Sequence, residues 1–202
     1  QFLKSIFVVF ITTLYINGCS STDHIGHMMP ESIIYNQQKT IPYIENALGS
    51  YNWLITTEEK DAQNYFKQGM QLRWAYSVNE AAISMLEARR IDPNCAMCYW
   101  GEAFALGSFI NGHMTEENSI YAREAVLKAS ELSKDFANEI EQDLINASIV
   151  RYPENYQFEK RRDTDLLFAE QMKNLYEKYP NNHEIATIYA VALFVLEDRR
   201  AT

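Results

Sequence analysis

The chain matches itself at an interval of about 34 residues, a period that belongs to stacked helix pairs. Tyr65, Gly69 and Leu72 return as Tyr99, Ala103 and Leu106. Between them, apolar residues recur at helical spacing: Tyr65, Phe66, Leu72 and Tyr76, then Ala81, Ala82, Met85 and Leu86. Thr56 and Glu59 have the spacing of a capping box and predict a helix start. Asn79 lies near a short turn, and Pro93 ends the second helix because proline supplies no N–H to the ladder. Gly69 and Ala81 are small enough to let two helix backbones approach closely, so both are predicted to be helix-contact positions. A second pair follows over Cys95 to about Ile110 and Glu116 to Leu132, with Ala125 at the small position after a longer loop. A third runs Lys134 to Tyr152 and Arg161 to Tyr179, and a last helix starts near His183. The expected fold is therefore all-α, a solenoid of antiparallel helix pairs over residues 56–202. Pro93 interrupts any unbroken heptad register and excludes a coiled coil.

Composition narrows the function classes. Only 7 glycines and 5 prolines occur in 202 residues, which disfavours a turn-dense β-sandwich or barrel. With 13 Tyr, 10 Phe and 3 Trp the chain is too aromatic for a disordered acidic segment. The formal net charge is −9, and the one dense basic run, Lys160-Arg161-Arg162, is followed at once by Asp163. A nucleic-acid partner is not expected, because it would need a clustered positive surface.

Residues 1–18 read as a targeting segment: Lys4 flanks an apolar core from Ile6 to Ile16 that is too short to span a bilayer. Gln1 stands in place of an initiating Met, and a helical pattern still runs near Thr202, so both ends read as cut. Ile16-Asn17-Gly18-Cys19 resembles a bacterial lipobox, and the polar Ser20-Ser21-Thr22-Asp23 follows it. The resemblance implies cleavage before Cys19, lipidation of Cys19, and, with Ser20 next, an outer-membrane lipoprotein facing the periplasm. Residues 19–55 read as a polar tether with apolar pieces such as Ile33-Ile34-Tyr35 and Ile41-Pro42-Tyr43-Ile44. His24-Ile25-Gly26-His27-Met28-Met29 lies inside it, a His/Met tract without the fixed geometry a metal site requires.

The helix–turn–helix unit, with Tyr65, Gly69, Leu72, Ala81, Met85, Ala88 and Pro93 at the expected offsets, resembles the tetratricopeptide repeat. Gln68 is its clearest departure. The stretch Asp92-Pro93-Asn94-Cys95-Ala96-Met97-Cys98-Tyr99-Trp100-Gly101 is similar to a motif of bacterial exported tetratricopeptide proteins, and the likeness extends over most of residues 48–198. The resemblance implies fold and location, with no attached reaction. It also implies that the first helix of each pair lines a concave groove. Phe66, Met70 and Arg73, then Met97, Trp100 and Phe104, would face inward there. That face suits a hydrophobic or aromatic segment of a protein or peptide partner, with Arg73 on a carboxylate or a backbone carbonyl. The competing expectation is that the tether fills the groove with Ile41-Pro42-Tyr43.

Cys95 and Cys98 form a CxxC at a helix N-terminus. Tyr99 stands where c-type haem attachment needs His, and zinc would need two further ligands. In an oxidising compartment a local disulfide is the default. The alternative is an accessory role in metal or thiol chemistry, with His113 and Met114 as further ligands. No cofactor is expected. His24, His27, His113 and His183 form no nucleophile–base motif, and no phosphate-cradling glycine loop occurs, so the sequence reads as a non-enzymatic scaffold.

Overall fold

The structure is a computed structural model that describes residues 35–45 and 49–197. The expected targeting segment 1–18, the expected lipidation site Cys19 and the His/Met tract lie outside the described residues. Among those described, the protein is all-α: seven α-helices, two short 3-10 turns, one isolated bridge between Phe109 and Gly112, and no strand. The helices are α1 (Lys60–Trp74), α2 (Val78–Ile91), α3 (Ala96–Leu106), α4 (Glu116–Phe136), α5 (Glu139–Ser148), α6 (Arg161–Lys178) and α7 (His183–Leu196). Each packs against the next in chain order; α1 also meets α3, and α3 meets α5, so these three helices share one face.

Helix ends follow local chemistry with three departures from the expected boundaries. The capping box at Thr56 and Glu59 does not form. The Thr56 N–H donates instead to Glu141 Oε1 at 2.7 Å, and α1 begins after Glu59 with no side-chain cap. The helix expected from Lys134 to Tyr152 is broken, because α4 runs on to Phe136 and Asn138 starts α5. Asn138 and Glu141 make the capping box, the Asn138 side chain accepting from the Glu141 N–H and Glu141 accepting from the Asn138 N–H. α3 stops at Leu106 and does not reach Ile110, because Gly107 turns the chain out into the short Phe109–Gly112 bridge. The α1–α2 turn passes through Tyr76 at φ 65°, the one described non-glycine residue in the left-handed region.

Close approach of α1, α2 and α3 depends on two glycines facing one side chain. A Cβ on Gly69 would stand 2.7 Å from Met85 Cε, and one on Gly101 would stand 2.5 Å from Met85 Sδ. Met85 is fully buried between them, and Ala81 is buried one turn earlier on α2. One apolar cluster gathers Phe66, Met70, Met85, Trp100, Phe104, Leu144, Phe168, Met172 and Ile188 across α1 to α7. The other sets Tyr35 among Ala81, Ile83, Leu106, Met114, Val126 and Tyr152.

Candidate functional site

All six residues expected to face a partner are interior: Phe66, Met70, Arg73, Met97, Trp100 and Phe104 are each no more than 2% exposed. The expectation that they offer a free surface is corrected by what covers them. Trp53 lies edge-on to Phe66 and to Trp100, with ring centroids 5.5 Å apart in both pairs, and Trp100 stacks on Phe104 at 5.0 Å. The Trp100 indole N–H donates to Ser148 Oγ at 2.9 Å, which pins the ring from the α5 side. These are apolar rings in contact distance of one another, and burying them against the chain's own tryptophan removes the surface that favoured a foreign ligand.

Trp53 belongs to residues 51–57, which lie against α1, α3, α5 and α7. The Gln63 side-chain amide holds this segment at two points: it donates to Trp53 O at 2.9 Å and accepts from the Ile55 N–H at 2.9 Å. Tyr51 OH donates to Glu184 Oε2 at 2.8 Å on α7, and Asn138 Nδ2 donates to Thr56 Oγ1 at 3.3 Å. Burial raises the Glu184 carboxyl above its ordinary value despite the Tyr51 hydroxyl, and raises the Tyr51 phenol too. The face expected to receive a partner thus holds main chain, and that main chain is the protein's own. The segment expected to fill it, Ile41-Pro42-Tyr43, lies elsewhere, against Tyr65 and Gln68.

Arg73, expected to meet a partner's carboxylate or carbonyl, is turned instead to the chain's own carbonyls at the C-terminus of α3. Its Nε donates to Phe104 O at 3.3 Å, and its Nη2 reaches Gly107 O at 3.4 Å and Ser108 O at 3.2 Å. Two positive ends satisfy the orphan carbonyls of that helix, since Arg151 also donates to Ser108 O. Burial, then the nearby Arg151, lowers the Arg73 guanidinium from its ordinary value.

Cys95 and Cys98 are joined as a disulfide in the first turn of α3, and both are buried. Met114 belongs to the other apolar cluster, and the exposed His113 ring lies against Phe158 at 4.2 Å, so the structure does not gather these four residues. Among the described residues no three His, Cys, Asp or Glu side chains are placed to hold a metal ion, and no helix is long and apolar enough to cross a membrane.

Open space lies at the C-terminal end of residues 51–57. A cleft of about 780 Å³ is lined by residues 55–59, Asp92, Asn94 and residues 135–138. Its wall carries the carboxylates of Glu58, Glu59, Asp92 and Asp135 beside the ring of Phe136, which is 41% exposed. Thr57 Oγ1 donates to Asp92 Oδ2 at 2.6 Å and so ties the α1 entry to the end of α2. No family model, curated protein or solved structure matches this chain.

Proposed function

We propose that the protein is a non-enzymatic scaffold, a tetratricopeptide-like solenoid anchored in the outer membrane through a lipid on Cys19 and facing the periplasm. Its partner is a protein or peptide, received as an extended segment where the groove opens. The observation that carries this reading is the open cleft of about 780 Å³ at the end of the covering segment, where the Phe136 ring stands 41% exposed. Four carboxylates beside an exposed aromatic ring favour a partner segment with basic and apolar residues.

The test places a photo-crosslinking amino acid at Phe136 and at Asn94 in intact cells, with Glu131 on the outer face of α4 as control. Adducts to a second protein are expected at the first two positions and not at the third. Replacing Glu58 and Asp135 together by lysine should abolish them. Adducts unaffected by that charge reversal, or equal at Glu131, overturn the reading of the cleft. For the anchor, metabolic labelling with a tagged fatty acid should mark the natural chain and not Cys19→Ser; label that survives the substitution refutes it.

A further inference from the structure

A second segment, residues 35–45, turns at Asn36–Lys39, where the Lys39 N–H donates to Asn36 O at 2.9 Å, and then runs over α1 and α2; its contacts are those of a bound ligand. Five main-chain atoms are held by helix side chains. Arg90 donates to Gln37 O and, at 3.0 Å, to Lys39 O; Tyr65 OH donates to Ile41 O at 3.2 Å. Gln68 donates to Pro42 O at 3.1 Å and accepts from the Ile44 N–H at 2.8 Å. It repeats there the two-point grip that Gln63 has on Trp53 and Ile55. Ser84 holds Gln68 ready: its hydroxyl accepts from Nε2 at 3.2 Å while donating to Tyr65 O at 2.9 Å.

Along the whole segment one side chain is buried, that of Tyr35, and most of the others face solvent. The Tyr35 ring meets Tyr121 edge-on at 5.2 Å, and its hydroxyl donates to Glu102, a carboxylate with no solvent exposure. Arg89 closes the other side of Glu102, with Nε 2.6 Å from Oε2. The pocket is therefore apolar around the ring and acidic at its floor, with an oxygen placed to take a hydroxyl proton. A buried carboxylate left without that donor would be costly, so a phenylalanine does not substitute for a tyrosine here.

We propose that this face is a peptide-binding site, specific for a segment whose tyrosine enters the Glu102 pocket while main chain seven to nine residues on meets Gln68, as Tyr35 stands before Pro42 and Ile44. Residues 35–45 occupy it as a releasable latch. Main-chain grips make the rest of the sequence tolerant, and the phenol pocket supplies selectivity. The proposal does not depend on the groove or on the anchor, which are tested at Phe136 and Cys19.

The experiment uses the full chain carrying Tyr35→Ala and a fluorescent synthetic peptide of residues 33–47, read by anisotropy. Saturable binding to the Tyr35→Ala chain is expected. Binding to the natural chain should be at least about tenfold weaker, because a tethered segment competes at millimolar effective concentration. A peptide with Tyr35→Phe should likewise lose about tenfold or more. Adding Gln68→Ala to the Tyr35→Ala chain should weaken binding severalfold. Absence of saturable binding to a Tyr35→Ala chain that keeps natural helicity and a cooperative melt overturns the site. Equal binding by the phenylalanine peptide overturns its specificity, and equal binding to the natural chain overturns the latch. Should Tyr35→Ala fail to fold, a protease site is placed over residues 46–48 of the otherwise natural chain and cut. The released segment is expected to separate on dilution and to rebind on concentration. A segment that never separates, or a body that unfolds when it leaves, refutes the proposal.

Discussion

Met85 between Gly69 and Gly101 gives the packing of the first three helices a sign that can be reversed by design. Gly69→Ala removes the helix-propensity penalty of glycine, about 1 kcal/mol. It also places a Cβ at 2.7 Å from Met85 Cε and 2.9 Å from Sδ, closer than real Cβ contacts, and at a tight 3.0 Å from Cγ, so a fully buried thioether must shift. Overpacking a full core costs about 1–3 kcal/mol, so the net effect expected is a loss of roughly 0–2 kcal/mol. Gly101→Ala meets the same thioether at 2.5 Å and has the same expected sign. Since Met85 cannot retreat from one new methyl without approaching the other, the double substitution should exceed the sum of the singles by about 1 kcal/mol. Met85→Ala alone should lose about 2–5 kcal/mol through the cavity it leaves. In that background each glycine-to-alanine change should become stabilising, by about 1 kcal/mol, because the clash is gone and the propensity gain remains. Equilibrium urea unfolding of the full chain, followed by far-UV circular dichroism, measures all of these. If Gly69→Ala or Gly101→Ala still destabilises the Met85→Ala protein, the cost lies in backbone approach and the reasoning from Met85 is wrong.

Trp53→Ala should lower stability by about 2–3 kcal/mol, less than a fully buried tryptophan because Trp53 is half-buried, and should increase dye binding to apolar surface. A melting point reduced by less than about 2 °C would show that the groove does not need this cover. A pH effect follows from Glu184, whose carboxyl burial raises above 4.5 in the folded state. The folded protein then holds more protons than the unfolded chain, so stability should fall as pH rises from 4.5 through the raised folded value. Glu184→Gln keeps an acceptor for Tyr51 and should flatten that slope; Glu102 and Asp165, also raised by burial, leave a residual slope of the same sign. A slope unchanged in Glu184→Gln refutes the assignment.

The helices were legible because their signals are local or strictly periodic. Pro93 stops α2, and the interval from Gly69 to Ala103 places α3. What escaped was anything set by long-range partners. Thr56 looks like a cap by spacing, yet its N–H is held by Glu141, 85 residues away. The Asn138–Glu141 box has a local signal, Asn three residues before Glu, but it sits inside a pattern that reads as one helix from Lys134 to Tyr152. Residues 51–57 carried a signal too: Tyr51, Trp53 and Ile55 alternate with Asn52, Leu54 and Thr56, the period of an extended strand segment with one covered side. Gln68, the one plain departure from the repeat pattern, is the residue that grips residues 42–44. A local rule broken at a single position marked a binding contact, as it often does.

Periodicity identifies which residues face inward and leaves open what they face. Phe66, Trp100 and Phe104 have the spacing of a ligand stripe and the burial of a core, because a bound segment of the same chain makes the two descriptions identical. The distinction has an energetic consequence for any partner. If residues 51–57 hold the groove with about 3 kcal/mol, the open form is near 1% of molecules, and a competitor for the same rings would bind about a hundredfold more weakly than its intrinsic affinity. A segment docking in the 780 Å³ cleft beside Phe136 displaces nothing and bears no such penalty. On that ground the crosslinks sought from Phe136 and Asn94 should be strong, and positions within the covered stripe should capture only this chain's own residues near Trp53.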